Sequence, residues 1–104
     1  MDCKVILSPL AIQDLGEIVR FISSDNPQQA ERFGYALIDV ALSLKNLPER
    51  GHFVPEFGDG VTREILHGNY RIVYRFDQYR KVVWVSRFWH AARGTPEIPL
   101  SSGQ

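Results

Sequence analysis

The sequence predicts an α+β domain in which a short N-terminal strand leads into an antiparallel helical hairpin, and the hairpin packs on one face of a mainly antiparallel sheet of about four strands. Two rhythms and one spacing predict it. Between Pro9 and Leu47 apolar residues recur at intervals of three and four, the period of a helix with one buried face. After Val61 the rhythm becomes two and the composition turns β-branched and aromatic. The links between the late runs, His67-Gly68-Asn69 and Gln78-Tyr79, are too short for anything but antiparallel neighbours.

Each element has its own local signals. Cys3 to Leu7 is a β-prone run that stops at Ser8-Pro9, where Ser8 caps a helix whose first residue is Pro9. Ala11, Ile12, Leu15, Ile18, Val19 and Ile22 form its stripe to about Ser23, and Gly16 within it either weakens the helix or lets another backbone come close. Asn26 caps a second helix that starts at Pro27 and carries Ala30, Phe33, Leu37, Val40, Ala41, Leu44 and Leu47 up to Pro48, about 30 Å of rod. The segment PERGHFVPEFGDG, residues 48–60, has two prolines and three glycines and reads as a surface connection. Phe53, Val54 and Phe57 are too apolar to float free, and at least one is expected to tuck under the helices. Val61–Leu66, Tyr70–Asp77 and Arg80–Trp89 read as three meandering strands. Residues 1–93 thus form the domain, and 94–104, with two prolines and no helical period, a tail that is extended or disordered.

Composition bounds the function. The 104 residues suffice for one core, and 44% hydrophobic with 23% charged is ordinary for a globular domain. No apolar run reaches the roughly 18 residues a membrane helix needs, and the start MDCKVILSPL is too short in apolar residues for a secretion signal, so a cytoplasmic protein is expected. Cys3 stands alone, and His52 and His67 lie in loops without ligand spacing, so neither metal nor cofactor is expected.

The net charge is zero, yet residues 61–93 hold seven basic groups (Arg63, Arg71, Arg75, Arg80, Lys81, Arg87, Arg93) against two acids (Glu64, Asp77). In the strand from Tyr70 to Phe76, Tyr70, Ile72, Tyr74 and Phe76 alternate with Arg71, Val73 and Arg75, which predicts an apolar back and a cationic front. Such a front suits an anionic partner, and Arg63, Arg71, Arg75, Arg87, Trp89, His90 and Arg93 are its candidate binding residues. Trp84, Phe88 and Trp89 are either an aromatic contact patch or core. Metal-free RNA cleavage would need a base for the 2′-hydroxyl and a cation at the phosphate. His90 with Arg63 and Arg87 is the set that offers both, and Lys81 is too isolated to form a lysine cluster.

Taken together, A-x-x-D-L-x-x-I at Ala11–Ile18, N-P-x-x-A at Asn26–Ala30, L-x-x-x-P-x-x-G at Leu44–Gly51, Arg63, Y-R-I-V-Y at 70–74 and H-x-x-R at His90–Arg93 resemble the RelE/ParE toxin superfamily of type II toxin–antitoxin modules, also called plasmid stabilisation proteins. The resemblance covers roughly residues 3–93. It implies one of two activities: RelE-like cleavage of message on the ribosome, or ParE-like inhibition of DNA gyrase by binding. The long hairpin with its N-P-x-x-A start looks more like the ParE branch. The resemblance also implies a cognate antitoxin, held in a toxin–antitoxin hetero-oligomer, whose C-terminal segment wraps the toxin. A non-toxic relic that still binds its antitoxin is the remaining alternative. The Pro-containing tail departs from the helical C-terminus of several members.

Overall fold

A computed structural model describes residues 3–99. Five strands, two α-helices and one short 3₁₀ turn form two layers, a helical hairpin on one side of a single sheet. Strand β1 (Lys4–Leu7) ends at Ser8, whose hydroxyl oxygen accepts the Ala11 N–H at 3.0 Å and donates to the Ser86 carbonyl at 2.9 Å. One small side chain thus caps helix α1 (Pro9–Ser23) and ties it to the sheet. Helix α2 (Pro27–Ser43) opens on Asn26, whose side chain accepts the Gln29 N–H at 3.0 Å. It ends four residues before the sequence-predicted limit, because Leu44, Lys45 and Asn46 bond to carbonyls three residues back, a tightened turn that closes the helix.

The sheet order is β1-β5-β4-β3-β2, with β2 at His52–Phe53, β3 at Thr62–His67, β4 at Tyr70–Asp77 and β5 at Val82–His90. β1 pairs parallel with β5 from Lys4 opposite Val82 to Leu7 opposite Val85, and every other pairing is antiparallel. Among the described residues there are five strands rather than about four. The fifth, β2, lies inside the segment expected to be a plain connection, where two residues pair with β3 and the Val54 N–H bonds the Thr62 carbonyl at 2.9 Å. A two-residue strand has no periodicity of its own to betray it.

Helices and sheet meet in a core of Ala11, Ile18, Leu37, Ala41 and Leu44 against Ile72, Tyr74, Val83, Val85 and Phe88. Val83 and Val85 share a face with Phe88 because the β4–β5 register slips: Val73 faces Arg87 and Tyr74 faces Val85, leaving Ser86 as the extra residue of a bulge. The bulge turns Arg87 and Trp89 to the far side of the sheet. Val54, Val73 and Trp89 are buried there, outside the main core cluster. Val54 is therefore buried, but against the sheet face opposite the helices and not under them, because it pairs with Thr62 on the Arg75 side of the sheet.

Among the described residues no helix is long and apolar enough to cross a membrane.

Candidate functional site

Residues directly opposite across strands share a face. The register therefore sets Arg71 beside Trp89, Val73 beside Arg87 and Arg75 beside Trp84, all turned from the core-facing Ile72 and Tyr74. This is the face expected to be an open cationic front. Instead it is covered over two of its arginines, since Arg71 and Arg87 are each 8% exposed, while Arg75 stays half-buried.

Arg71 donates through Nε to Glu64, through both terminal nitrogens to Glu56 at 2.9 and 3.0 Å, and through Nη1 to the Gly94 carbonyl at 3.0 Å. Arg87 clasps Asp14 in a fork, Nε to Oδ2 at 2.7 Å and Nη2 to Oδ1 at 2.9 Å, and gives Nη1 to the Glu97 carbonyl. Asp14 also accepts the Phe88 N–H at 3.1 Å, next to the bulge. These carboxylates hold both guanidiniums above their ordinary pKa, chiefly through the hydrogen bonds that Glu56 accepts from Arg71 and Asp14 accepts from Arg87. In return the Arg71 hydrogen bond holds Glu56 below the usual carboxylate range. The cationic surface inferred from the charge count thus does not form at Arg71 and Arg87, because acids distant in sequence neutralise them. An ion pair at this depth persists only with its hydrogen bonds satisfied.

The remaining candidates are dispersed. Arg63 lies on the helix side, facing Tyr74, and donates to the Gly51 and Glu49 carbonyls at 2.8 and 3.2 Å while its guanidinium stacks 4.1 Å above the Phe53 ring. Its nearest carboxylate oxygen, on Glu49, is 3.9 Å away. Arg93 covers the Trp89 ring at 3.8 Å, with Arg87 at 4.7 Å, and the indole Nε1 donates to the Gly94 carbonyl at 3.1 Å. His90 Nδ1 accepts the Ala92 N–H at 3.1 Å, capping the 3₁₀ turn Ala91–Arg93, and the ring meets Tyr70 edge-on at 4.9 Å. Arg75 makes no hydrogen bond or ion pair among the described residues, although its field helps lower Asp59, whose partial burial is outweighed by hydrogen bonds from Thr62 and Val61.

The set that cleavage would require is not gathered. Arg87 is locked onto Asp14. His67, Tyr70 and His90 face one another across three strands, and Arg63 stands four residues along β3 from His67. Arg63 and His90 are therefore separated by roughly 16 Å, from about 3.3 Å per residue and 4.8 Å per strand. No three His, Cys, Asp or Glu side chains among the described residues come together to hold a metal ion.

The sequence assigns no role to Asp14 or Glu56, and Glu64 enters it only as one of two acids set against the basic run. For Asp14 a signal was there: it sits inside the apolar stripe, three residues after Ala11 and four before Ile18, so its carboxylate must be buried and paired. Glu56, in an irregular loop, offers no such signal.

Comparison with known proteins adds the family. A family model described as the ParE toxin of the type II toxin-antitoxin system, parDE, matches residues 5–94. Among solved structures, a chain of the toxin–antitoxin complex RelBE2 from Mycobacterium tuberculosis is 25% identical with a TM-score of 0.66, covering 86% of this chain and 99% of that one. A chain of the chromosomal ParDE system of P. aeruginosa gives a TM-score of 0.69 at 15% identity, covering 85% of this chain and 95% of that one, a likeness of fold alone. A search of curated proteins gave no match. With the model spanning nearly the whole described domain, and with the hairpin-on-sheet architecture in common, the chain belongs to the ParE toxin family of type II toxin–antitoxin systems.

Proposed function

We propose that this protein is a growth-arresting toxin that acts by binding DNA gyrase, as a protein ligand and not as an enzyme, and that a cognate antitoxin neutralises it in a hetero-oligomer. One observation carries the choice of binding over catalysis: Arg63, Arg87 and His90 lie apart, and each already has partners within the chain. A general base must come within hydrogen-bond reach of its proton, and a phosphate-binding arginine must have donors to offer. His90 spends Nδ1 on a backbone N–H, and Arg87 spends its fork on Asp14. The antitoxin is supported by family membership and by the two neighbours, both described as parts of toxin–antitoxin systems.

The test is a supercoiling assay with purified gyrase. Inhibition, or trapped cleaved DNA, is expected as the protein is added, and unchanged supercoiling at saturating protein removes gyrase as the target. The likeness to RelBE2 at 25% identity favours one competing reading, a ribosome-dependent endonuclease. Programmed ribosomes incubated with the protein decide that case, since cut message lost in Arg63→Ala would establish it. Absence of growth arrest on induced expression, with antitoxin binding retained, would mark a relic.

A further inference from the structure

The chain has three lysines, at positions 4, 45 and 81, and sequence spacing leaves each of them isolated. The fold brings them together. The Lys4 N–H bonds the Lys81 carbonyl at 2.9 Å where β1 joins the start of β5, and the Cys3 N–H bonds the Lys45 carbonyl at 2.9 Å just beyond α2. The main chains around all three thus meet at one corner, beside β1 at the edge of the sheet. Each lysine is exposed, and among the described residues none makes a side-chain hydrogen bond or an ion pair. Arg80 precedes Lys81 in the β4–β5 turn, with its side chain 81% exposed. The acid of that turn, Asp77, lies 3.8 Å from Arg80 Nε through one oxygen and spends the other on the Tyr79 and Arg80 N–H groups at 3.0 and 3.1 Å. These bonds form an Asx turn that sets the course of the chain into Lys81, whose φ is 56°.

We propose that this corner binds the phosphate backbone of double-stranded DNA without reading its sequence. The forks of Arg71 and Arg87 are closed on carboxylates, whereas a lysine ammonium is a compact point charge that follows a phosphate without a fixed geometry. Four cations are few. They gain most on the densest polyanion, and a duplex carries one negative charge per about 1.7 Å of its axis, roughly twice the density of one strand. A single-strand site needs a charged groove with a series of stacking platforms, and here one ring, Tyr79, stands 89% exposed beside Arg80. An acidic peptide is better held by arginine forks than by lysines. The zero net charge keeps the contact weak and local, which suits DNA already held by a partner protein. Placing that duplex on gyrase rests on the function proposed above; the affinity of the corner for DNA does not.

The experiment therefore leaves gyrase out. A short fluorescein-labelled DNA duplex is titrated with the full chain by fluorescence anisotropy at a series of salt concentrations, beside a second duplex of unrelated sequence, one of the single strands, an RNA duplex and a polyglutamate peptide. Weak binding that is equal for the two DNA duplexes is expected, with log K falling against log salt at a slope of about −3 to −4 for four phosphate contacts. Lys4→Gln, Lys45→Gln and Lys81→Asn should each make the slope shallower by about one, and Arg32→Gln on the exposed side of α2 should leave it unchanged. Asn is chosen at position 81 because it tolerates the left-handed backbone there, and the other two variants carry the test if Lys81→Asn melts early. The triple variant should bind at least about tenfold more weakly at low salt. DNA binding without inhibition of supercoiling would remove gyrase as the target and leave this inference standing, and inhibition without DNA binding would do the reverse. Slopes that no lysine substitution changes, a loss in Arg32→Gln equal to theirs, or binding of the single strand, the RNA or the peptide as tight as that of the DNA duplex would each overturn the proposal.

Discussion

At the scale of the residue, the chain keeps its charges by pairing them across long stretches of sequence. Asp14 and Arg87 are 73 positions apart, yet their fork is almost fully screened from water, and Asp14 also serves the Phe88 N–H beside the bulge. Asp14→Ala strands a buried guanidinium and a backbone donor together, so a loss of about 3–5 kcal/mol in denaturant unfolding is expected. Adding Arg87→Met to the same chain should restore much of that loss, since an apolar residue of similar length replaces a stranded charge; a double variant no more stable than Asp14→Ala would mean that the pair is not what Asp14 supports. Glu56 and Asp59 give a second prediction. Glu56 is held low by Arg71; for Asp59, burial works upward and hydrogen bonds from Thr62 and Val61 outweigh it, so both titrate below their ordinary values of 4.5 and 3.8. A depressed carboxylate contributes stability above its unfolded pKa and loses it as pH falls through the folded one. Acidification from about pH 5 to about pH 3 should therefore loosen the 54–62 segment before the core. Amide exchange at Val54, whose N–H bonds the Thr62 carbonyl, reports it, and protection there that outlasts the core amides would contradict the assignment.

At the scale of the element, two helical glycines that look alike in sequence do opposite work. Gly16 is the one whose position suggests a close backbone contact, but a Cβ there meets only the flexible end of the Arg20 side chain at 3.5 Å. The close approach is at Gly34 on α2, where a Cβ would lie 2.9 Å from Val19 Cγ2 on α1. Gly16→Ala should stabilise by about 0.5–1 kcal/mol through helix propensity. Gly34→Ala gains the same propensity and drives a wedge into the hairpin, a cost of about 1–3 kcal/mol, so its melting temperature should fall while that of Gly16→Ala rises. Matching shifts in the two variants would mean that the hairpin is not tightly packed at Gly34. The periodicity of the two helices, their caps at Ser8 and Asn26 and the meander were legible because each is written in neighbouring residues. Which glycine meets the other helix was not, because contact depends on how the two rods are rotated against each other.

At the scale of the molecule, the same division separates what the sequence discloses from what it hides. Excess positive charge after Gly60 is a property of composition, but whether it reaches solvent depends on Asp14, Glu56 and Glu64, brought to it by a hairpin and a loop that no local pattern places. The bulge at Ser86 decides which side of the sheet Arg87 and Trp89 occupy, and a bulge is one inserted residue in a strand that still reads as a strand. The C-terminal segment is the clearest case. From sequence it is a tail, yet the Gly94 carbonyl takes hydrogen bonds from both Arg71 and Trp89, the Glu97 carbonyl takes one from Arg87, and Pro96 is buried. Main-chain oxygens are acceptors every residue carries, so composition cannot reveal this role. Those bonds complete the shells of two internal guanidiniums, and an incomplete shell on a buried cation is destabilising. Truncation after Arg93 should therefore lower stability by about 1–3 kcal/mol, near 4–8 °C in melting temperature per kcal/mol for a domain of this size, and raise the accessibility of Trp89 to a neutral fluorescence quencher. Trp84, near the start of β5 and opposite Arg75, should keep its own quenching when read in a Trp89→Phe background. A truncated chain that melts with the full-length one would make the segment a passive tail, and Arg71 and Arg87 would then be held by their carboxylates alone.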